Sequence, residues 1–325
     1  MSIQTLEPRI ADVGGIPIAR LLPNTGKKPI GAWCFLDHAG PAEFGPDDSG
    51  MQVGRHPHTN LQTFSWMLSG EVLHKDSLGN EQVITKNQVN VMTAGTGLNQ
   101  GISHTEQSVF PDTGGSPDAA RALSMVQLWI ALPTDQKIER SFHHYPNLPT
   151  WTEDNAEMIL TTGSYTTAAG ERFEAPTIQY SKMVGIDVYW KEDGEVPLTL
   201  EPGFEYGILV SEGEIESEGK VCPQDQLLRF HDHDVANNKS IKLVAKKGTR
   251  VMFIGGEPLN NQVLLWWNFV ADNKEEIEQS IIDWNNGHER FGNVDSDMKR
   301  LPAPKLPEGF KGQRKKKSIN DYSLS

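Results

Sequence analysis

The chain has 325 residues, 37% of them hydrophobic and 22% charged, with a formal net charge of −13. Eight tryptophans and twelve phenylalanines suffice for a sizeable core, which excludes wholesale disorder, and the length suits two domains or one large β or α/β unit. The acidic balance excludes a general binder of nucleic-acid backbones and an adherent of anionic membranes, and no apolar run approaches the ~20 residues of a membrane-spanning helix.

Residues 1–15 carry neither the basic nor the apolar region of a secretory leader. The two cysteines, Cys34 and Cys222, are far apart and make no disulfide framework. A reducing cytoplasm is therefore the expected setting. Between residues 15 and 270, short apolar runs alternate with Gly, Asn, Asp and Pro, as at 62–68, 71–75, 82–86, 88–92, 124–132, 206–210 and 250–256. This spacing predicts consecutive strands and hairpins of an all-β sandwich or barrel. Residues 76–80, Asp-Ser-Leu-Gly-Asn, form a turn between two of them. The stretch 133–175 is polar and proline-bearing and reads as a connector. Near the end a helix is predicted over 273–286, with Asp272 as cap, Glu275 in the third helical position, Ile277, Ile281 and Trp284 on one face, and Gly287 as its stop. A weak repeat relates LSGEV (68–72) to VSEGEI (210–215) and KNQVNVM (86–92) to PQDQLLRF (223–230), which points to two β-units of similar plan.

The chemistry concentrates in His56-Pro57-His58 and His104-Thr105-Glu106. Side chains two apart on a strand share a face, so His56 and His58 project together, as do His104 and Glu106. Two such pairs on neighbouring strands would place three imidazoles and a carboxylate around one point, a divalent-metal site with two open positions if octahedral. Pro57 donates no ladder hydrogen bond, which puts the pair at a strand start or edge. If the strand ran on without a bulge, Gln62, Phe64, Trp66 and Leu68 would share the face of the two histidines and wall the pocket.

The motifs FLDHAGP (35–41), HPHTNLQTFSWMLSGEVLHKDSLGN (56–80), VNVMTAGTG (89–97), HTE (104–106), VQLWIALP (126–133), GGEPL (255–259) and WNFVADNKEEIEQSIIDW (267–284) together resemble the pirin family. The resemblance covers nearly the whole chain except the tail. It implies a bicupin: two antiparallel cupin (jelly-roll) β-barrels facing each other, with a C-terminal helix and a metal only in the first barrel. The expected division is a metal-bearing barrel over 1–135, a connector over 136–180, a metal-free barrel with the helix over 181–300 and a flexible basic tail over 301–325. The family's Fe(II) ligands fall on His56, His58, His104 and Glu106; Mn, Ni, Co and Zn suit the same donors. The resemblance further implies a quercetin 2,3-dioxygenase acting on a flavonol-like aromatic with O2, Glu106 serving as ligand and catalytic base. The alternative is a non-catalytic iron-dependent redox sensor that binds transcription factors or metabolic enzymes. Neither reading calls for direct contact with nucleic acid or membrane. Gln62 stands where the family usually has Glu, which takes a carboxylate from the expected pocket wall, and loop 98–103 is longer than the family's.

The remaining candidates read as structural. His38 is taken for a pocket-mouth or hydrogen-bonded histidine, His74 for an exposed strand residue, His143 and His144 for connector residues, and Cys34 for a buried inert thiol. His231-Asp232-His233-Asp234 reads as a solvated turn, since the repeat aligns it with residues 93–95, and 311–317 as a solvated tail.

Overall fold

The computed structural model describes residues 3–24, 28–230 and 239–311. Among these the chain forms twenty-five strands and one α-helix. In order they are β1 (Ile3–Leu6), β2 (Arg9–Val13), β3 (Ile16–Leu22), β4 (Trp33–Glu43), β5 (Gln52–His58), β6 (Leu61–Ser69), β7 (Val72–Asp76), β8 (Glu81–Ile84), β9 (Val89–Thr93), β10 (Ile102–Ser108), β11 (Ala122–Ala131) and β12 (Ser141–Tyr145). There follow β13 (Thr150–Glu153), β14 (Ala156–Thr166), β15 (Arg172–Glu174), β16 (Met183–Trp190), β17 (Gly194–Thr199), β18 (Glu205–Glu212), β19 (Glu214–Ser217), β20 (Lys220–Pro223), β21 (Leu227–Phe230), β22 (Ser240–Ala245), β23 (Arg250–Gly256), β24 (Leu264–Trp266), β25 (Phe269–Ala271) and helix α1 (Lys274–Asn285).

In the first unit a sheet in the order β12-β9-β6-β11-β4-β3-β2 packs on the sheet β5-β10-β7-β8. In the second, β1-β21-β18-β23-β16-β14-β13, with β15 beside β14, packs on β17-β22-β19-β20. Each unit is thus two facing antiparallel sheets, a jelly-roll sandwich more than a closed barrel. The strand orders correspond one for one, so the weak repeat in the sequence is a repeat of topology.

The second unit is filled with apolar side chains, including Val196, Leu198, Ile241 and Leu243 from its small sheet. The first is apolar at one end only, where Met67, Met125, Ala39 and Val53 meet. Between the units lies a third core, in which Phe64, Trp66, Val126 and Leu128 face Leu209, Leu227, Met252 and Ile254. The large sheets are therefore buried on both faces, and that is why a run such as QTFSWML shows little alternation.

The chain ends are exchanged between units. Strand β1 pairs with β21 of the second unit. Hairpin β24–β25 and α1 follow the second unit in sequence but lie on the first: Thr59 bridges Phe269, and Arg55 bridges Arg300. The helix is capped by Asn273, whose side chain accepts from the Glu276 amide at 2.9 Å, one residue later than the sequence suggested. Asp272 is engaged instead by Thr134 Oγ1 and the Asn273 amide. Ile277, Ile281 and Trp284 are buried as expected. The stretch read as a connector is largely strand: β12 extends the first unit's sheet, and β13–β15 build the second's. Its polarity is that of edge strands, as in the exposed–half-buried alternation of β13.

Candidate metal centre

Strand β5 is the edge of its sheet, so Pro57 costs no ladder bond there. The pleat aims His56 and His58 into the first unit, and β10 lies alongside with His104 opposite His56. The Nε2 atoms of His58 and His104 stand 3.1 Å apart, and the ring of His56 lies 4.2 Å from that of His104. Ligand atoms of His56, His58 and His104 all fall within 4.8 Å of one another. Two nitrogens at right angles, each ~2.1 Å from one ion, would be about 3.0 Å apart, so the His58–His104 spacing suits two ligands of a single metal ion, with His56 beside them.

Two of the rings are turned by backbone carbonyls. Nδ1–H of His56 donates to the carbonyl of Gly54 at 2.8 Å, and Nδ1–H of His58 to that of Asn268 at 3.1 Å. A carbonyl only accepts, so the Nε2 lone pairs are left free to bind. Burial lowers the pKa of His56 to about 4 and holds those of His58 and His104 well below the ordinary value. All three are therefore neutral ligands at neutral pH.

Glu106 points onto the same inner face, with its carboxyl raised above its usual pKa by burial. Its oxygen groups with His104 and His74, not with His56 and His58. His74, on a strand whose alternation predicts exposure, departs from that expectation. It is buried, stacks on Phe142 at 4.5 Å and belongs to the inner face because it pairs across the ladder with Glu106.

His56, His58, His104 and Glu106 line one wall of a cavity of about 400 Å³. Phe35 and Trp129, stacked at 3.9 Å, form another wall, and Trp267 and Leu301 reach in from the C-terminal segment. Arg20 holds Asp37 through two hydrogen bonds of 2.8 and 2.6 Å and lies over the Phe35 ring at 4.7 Å. Burial outweighs Arg20 and lifts the Asp37 pKa to about 6. Gln127 and Thr63 add to the polar lining.

The cavity does not include His38, Gln62, Phe64 or Trp66. The chain leaves the small sheet after His58, turns through Asn60 at φ 53° and enters the large sheet at Leu61. Alternation counted from His58 does not survive that turn, so Thr63 faces the cavity while Phe64 and Trp66 face the second unit. Gln62 bonds Thr93 Oγ1 at 3.1 Å, so the family's usual carboxylate at 62 would not be lost from this cavity wall. His38 contacts Asp225 of the second unit at 2.6 Å. The signal that could have found Asp37, Thr63 and Gln127 is their polarity within otherwise apolar runs.

His144 bonds Asn90 at 2.7 Å, and His143 stacks on Tyr145. Cys34 is buried and its thiol pushed up to about 12 by burial. Among the described residues, every metal-compatible cluster lies in the first unit. His231-Asp232-His233-Asp234 lies outside the described residues, as do residues 312–325 of the basic tail, whereas Leu301 and Ala303 pack on the C-terminal segment.

The pirin family model matches residues 16–130, and the pirin C-terminal cupin domain matches 185–292. A Pseudomonas aeruginosa protein named "Putative quercetin 2,3-dioxygenase" is 43% identical over 308 residues, covering 94% of this chain and 91% of its own. A Caulobacter vibrioides "Pirin-like protein" is 31% identical over 296 residues, covering 89% and 95%. The crystal structure of a quercetin 2,3-dioxygenase from Acinetobacter baumannii superposes with a TM-score of 0.84 at 39% identity, covering 95% of this chain and 97% of that one.

Proposed function

The chain belongs to the pirin family, and from that premise we propose that it is an Fe(II)-dependent dioxygenase that opens flavonols such as quercetin with O2. The observation that carries this reading is the convergence of three buried, neutral imidazoles on one wall of an aromatic-lined cavity. When bound there, iron supplies a Lewis acid for an oxyanion donor and a partner for O2. His56, His58 and His104 would hold it, with Glu106 within reach of His104.

Glu106 takes the proton of the flavonol 3-hydroxyl; burial raises its proton affinity toward the working pH. Phe35, Trp129 and Trp267 offer flat apolar surfaces to a planar polyphenol. The Arg20–Asp37 pair and Gln127 offer donors and acceptors to its outlying hydroxyls. The C-terminal segment closes one side of the cavity and limits water. Two buried free cysteines suit a reducing cytoplasm.

The test is oxygen uptake by iron-reconstituted protein with quercetin, beside His56→Ala. Uptake that requires both the flavonol and His56 supports the dioxygenase. No uptake by protein carrying one iron per chain would overturn it in favour of the non-catalytic sensor.

A further inference from the structure

The three clustered histidines are not oriented alike. His56 and His58 give their Nδ1 protons to the main-chain carbonyls of Gly54 and Asn268. His104 has a side chain in that place: its Nδ1 lies 3.3 Å from Nδ1 of His74. The other nitrogen of His74, Nε2, lies 3.3 Å from Oδ2 of Asp76.

The direction of this chain follows from its far end. Asp76 is fixed in the 76–80 turn, where Oδ1 accepts from the amides of Leu78 (2.8 Å) and Asn80 (3.1 Å) and Oδ2 from Asn80 Nδ2 (2.9 Å). A carboxylate only accepts, so His74 Nε2 carries a proton and donates it. In the neutral ring His74 Nδ1 then carries the lone pair and accepts from Nδ1–H of His104. That leaves the lone pair of His104 on Nε2, which faces Nε2 of His58 at 3.1 Å. Phe142, stacked on His74 with a 14° interplanar angle, holds the middle ring in plane.

We propose that His74, backed by Asp76, is the positioning residue of His104: a carboxylate–imidazole–imidazole chain that keeps the proton on His104 Nδ1 and aims its Nε2 lone pair at the metal. The inference rests on the reading of His56, His58 and His104 as metal ligands. Its consequence is an asymmetric site, with two ligands set by rigid carbonyls and a third set by a polarisable ring whose donor strength depends on a surface turn.

The test uses the full chain freed of metal and titrated with Co(II). His74→Phe keeps the stack on Phe142 and removes the acceptor; it should raise the Co(II) dissociation constant 10- to 100-fold. His74→Asn places an amide oxygen where Nδ1 stood and should restore binding to within about threefold of the parent. Nitrogen NMR of histidine-labelled protein without metal should show His104 protonated at Nδ1 in the parent and in His74→Asn, but not in His74→Phe. Unchanged Co(II) affinity in His74→Phe would overturn the proposal. So would finding the parent's His104 protonated at Nε2, a result that needs no variant to fold. A parent that binds no Co(II) would instead remove the reading of the histidines as ligands.

Discussion

Asn87 and Asp225 hold the same place in the two units and reach across the interface in opposite directions. Both have a left-handed backbone (φ 61° and 64°), and their amides donate to Met67 and Val210, each at 2.9 Å. Asn87 Oδ1 accepts from Arg250 at 2.9 Å, while Asp225 Oδ1 meets Nδ1 of His38 at 2.6 Å. Asp187, the partner of Arg250, pairs with Met252 on β23, and His38 pairs with Val126 on β11, so these two also stand at matching positions. The units are clamped by two related polar contacts around one apolar interface, and the contacts differ in chemistry.

The Arg250–Asp187 contact is a buried ion pair, with side chains 7% and 2% exposed. Removing one partner leaves a buried charge. Arg250→Met should therefore cost about 3–5 kcal/mol, while Arg250→Met with Asp187→Leu should lie much closer to the parent. Denaturant unfolding of the three proteins measures this, and equal losses in the single and double variants would contradict it.

Metal stoichiometry follows from where the ligands are. The parent should hold one ion per chain by elemental analysis, and His58→Ala should hold well under a tenth of that. Two ions per chain would point to a second site, since the positions of the second unit that match the triad's strands carry Val196, Leu198 and Leu243.

Protons act on two cavity groups in opposite senses. His56, neutral when folded down to about pH 4, takes a proton in the unfolded chain at ~6.5. Its contribution is present above 6.5 and lost as pH falls from there to about 4. Asp37, lifted to about 6 from ~3.9 unfolded, contributes stability below 3.9 that is lost as pH rises through 6. For the metal-free protein, the stability difference between parent and His56→Gln should fall toward acid. That between parent and Asp37→Asn should grow, each by up to about 1.4 kcal/mol per pH unit. Thermal midpoints from pH 7.5 to 4.5 give both signs.

Both thiols are buried, and burial lifts each to about 12. Neither Cys34 nor Cys222 should react with a thiol reagent at pH 8 in native protein, and two should react once it is unfolded. Rapid native labelling would contradict the packing of Cys34 behind Trp129.

Trp284 anchors the C-terminal segment, burying its ring and donating Nε1–H to the carbonyl of Leu301 at 2.7 Å. Trp284→Ala should cost about 3–5 kcal/mol. It should also weaken metal binding, because the same segment carries the Asn268 carbonyl that turns His58. Intact metal affinity in a destabilised variant would separate the two effects.

The clustered side chains were legible because His56 and His58, and likewise His104 and Glu106, lie two apart on one strand, where alternation is reliable. The pocket wall was not, because it requires counting across Asn60, whose positive φ ends one sheet and begins another. Phe64 and Trp66 carry no mark that tells an inner face from an interface between units, since both are dry. His74 was misjudged for a related reason: its strand alternates, but which face is wet depends on Phe142, which arrives from a strand nearly seventy residues later. Helix α1 was legible in its apolar face and misplaced by one residue at its cap, where two adjacent acceptors competed.

The carbonyl that orients His58 belongs to Asn268, 210 residues further along. A nascent chain that has emerged only as far as β23 already displays the three histidines but lacks the acceptor that fixes one of them. A product ending before the β24–β25 hairpin should therefore bind metal more weakly than the finished chain.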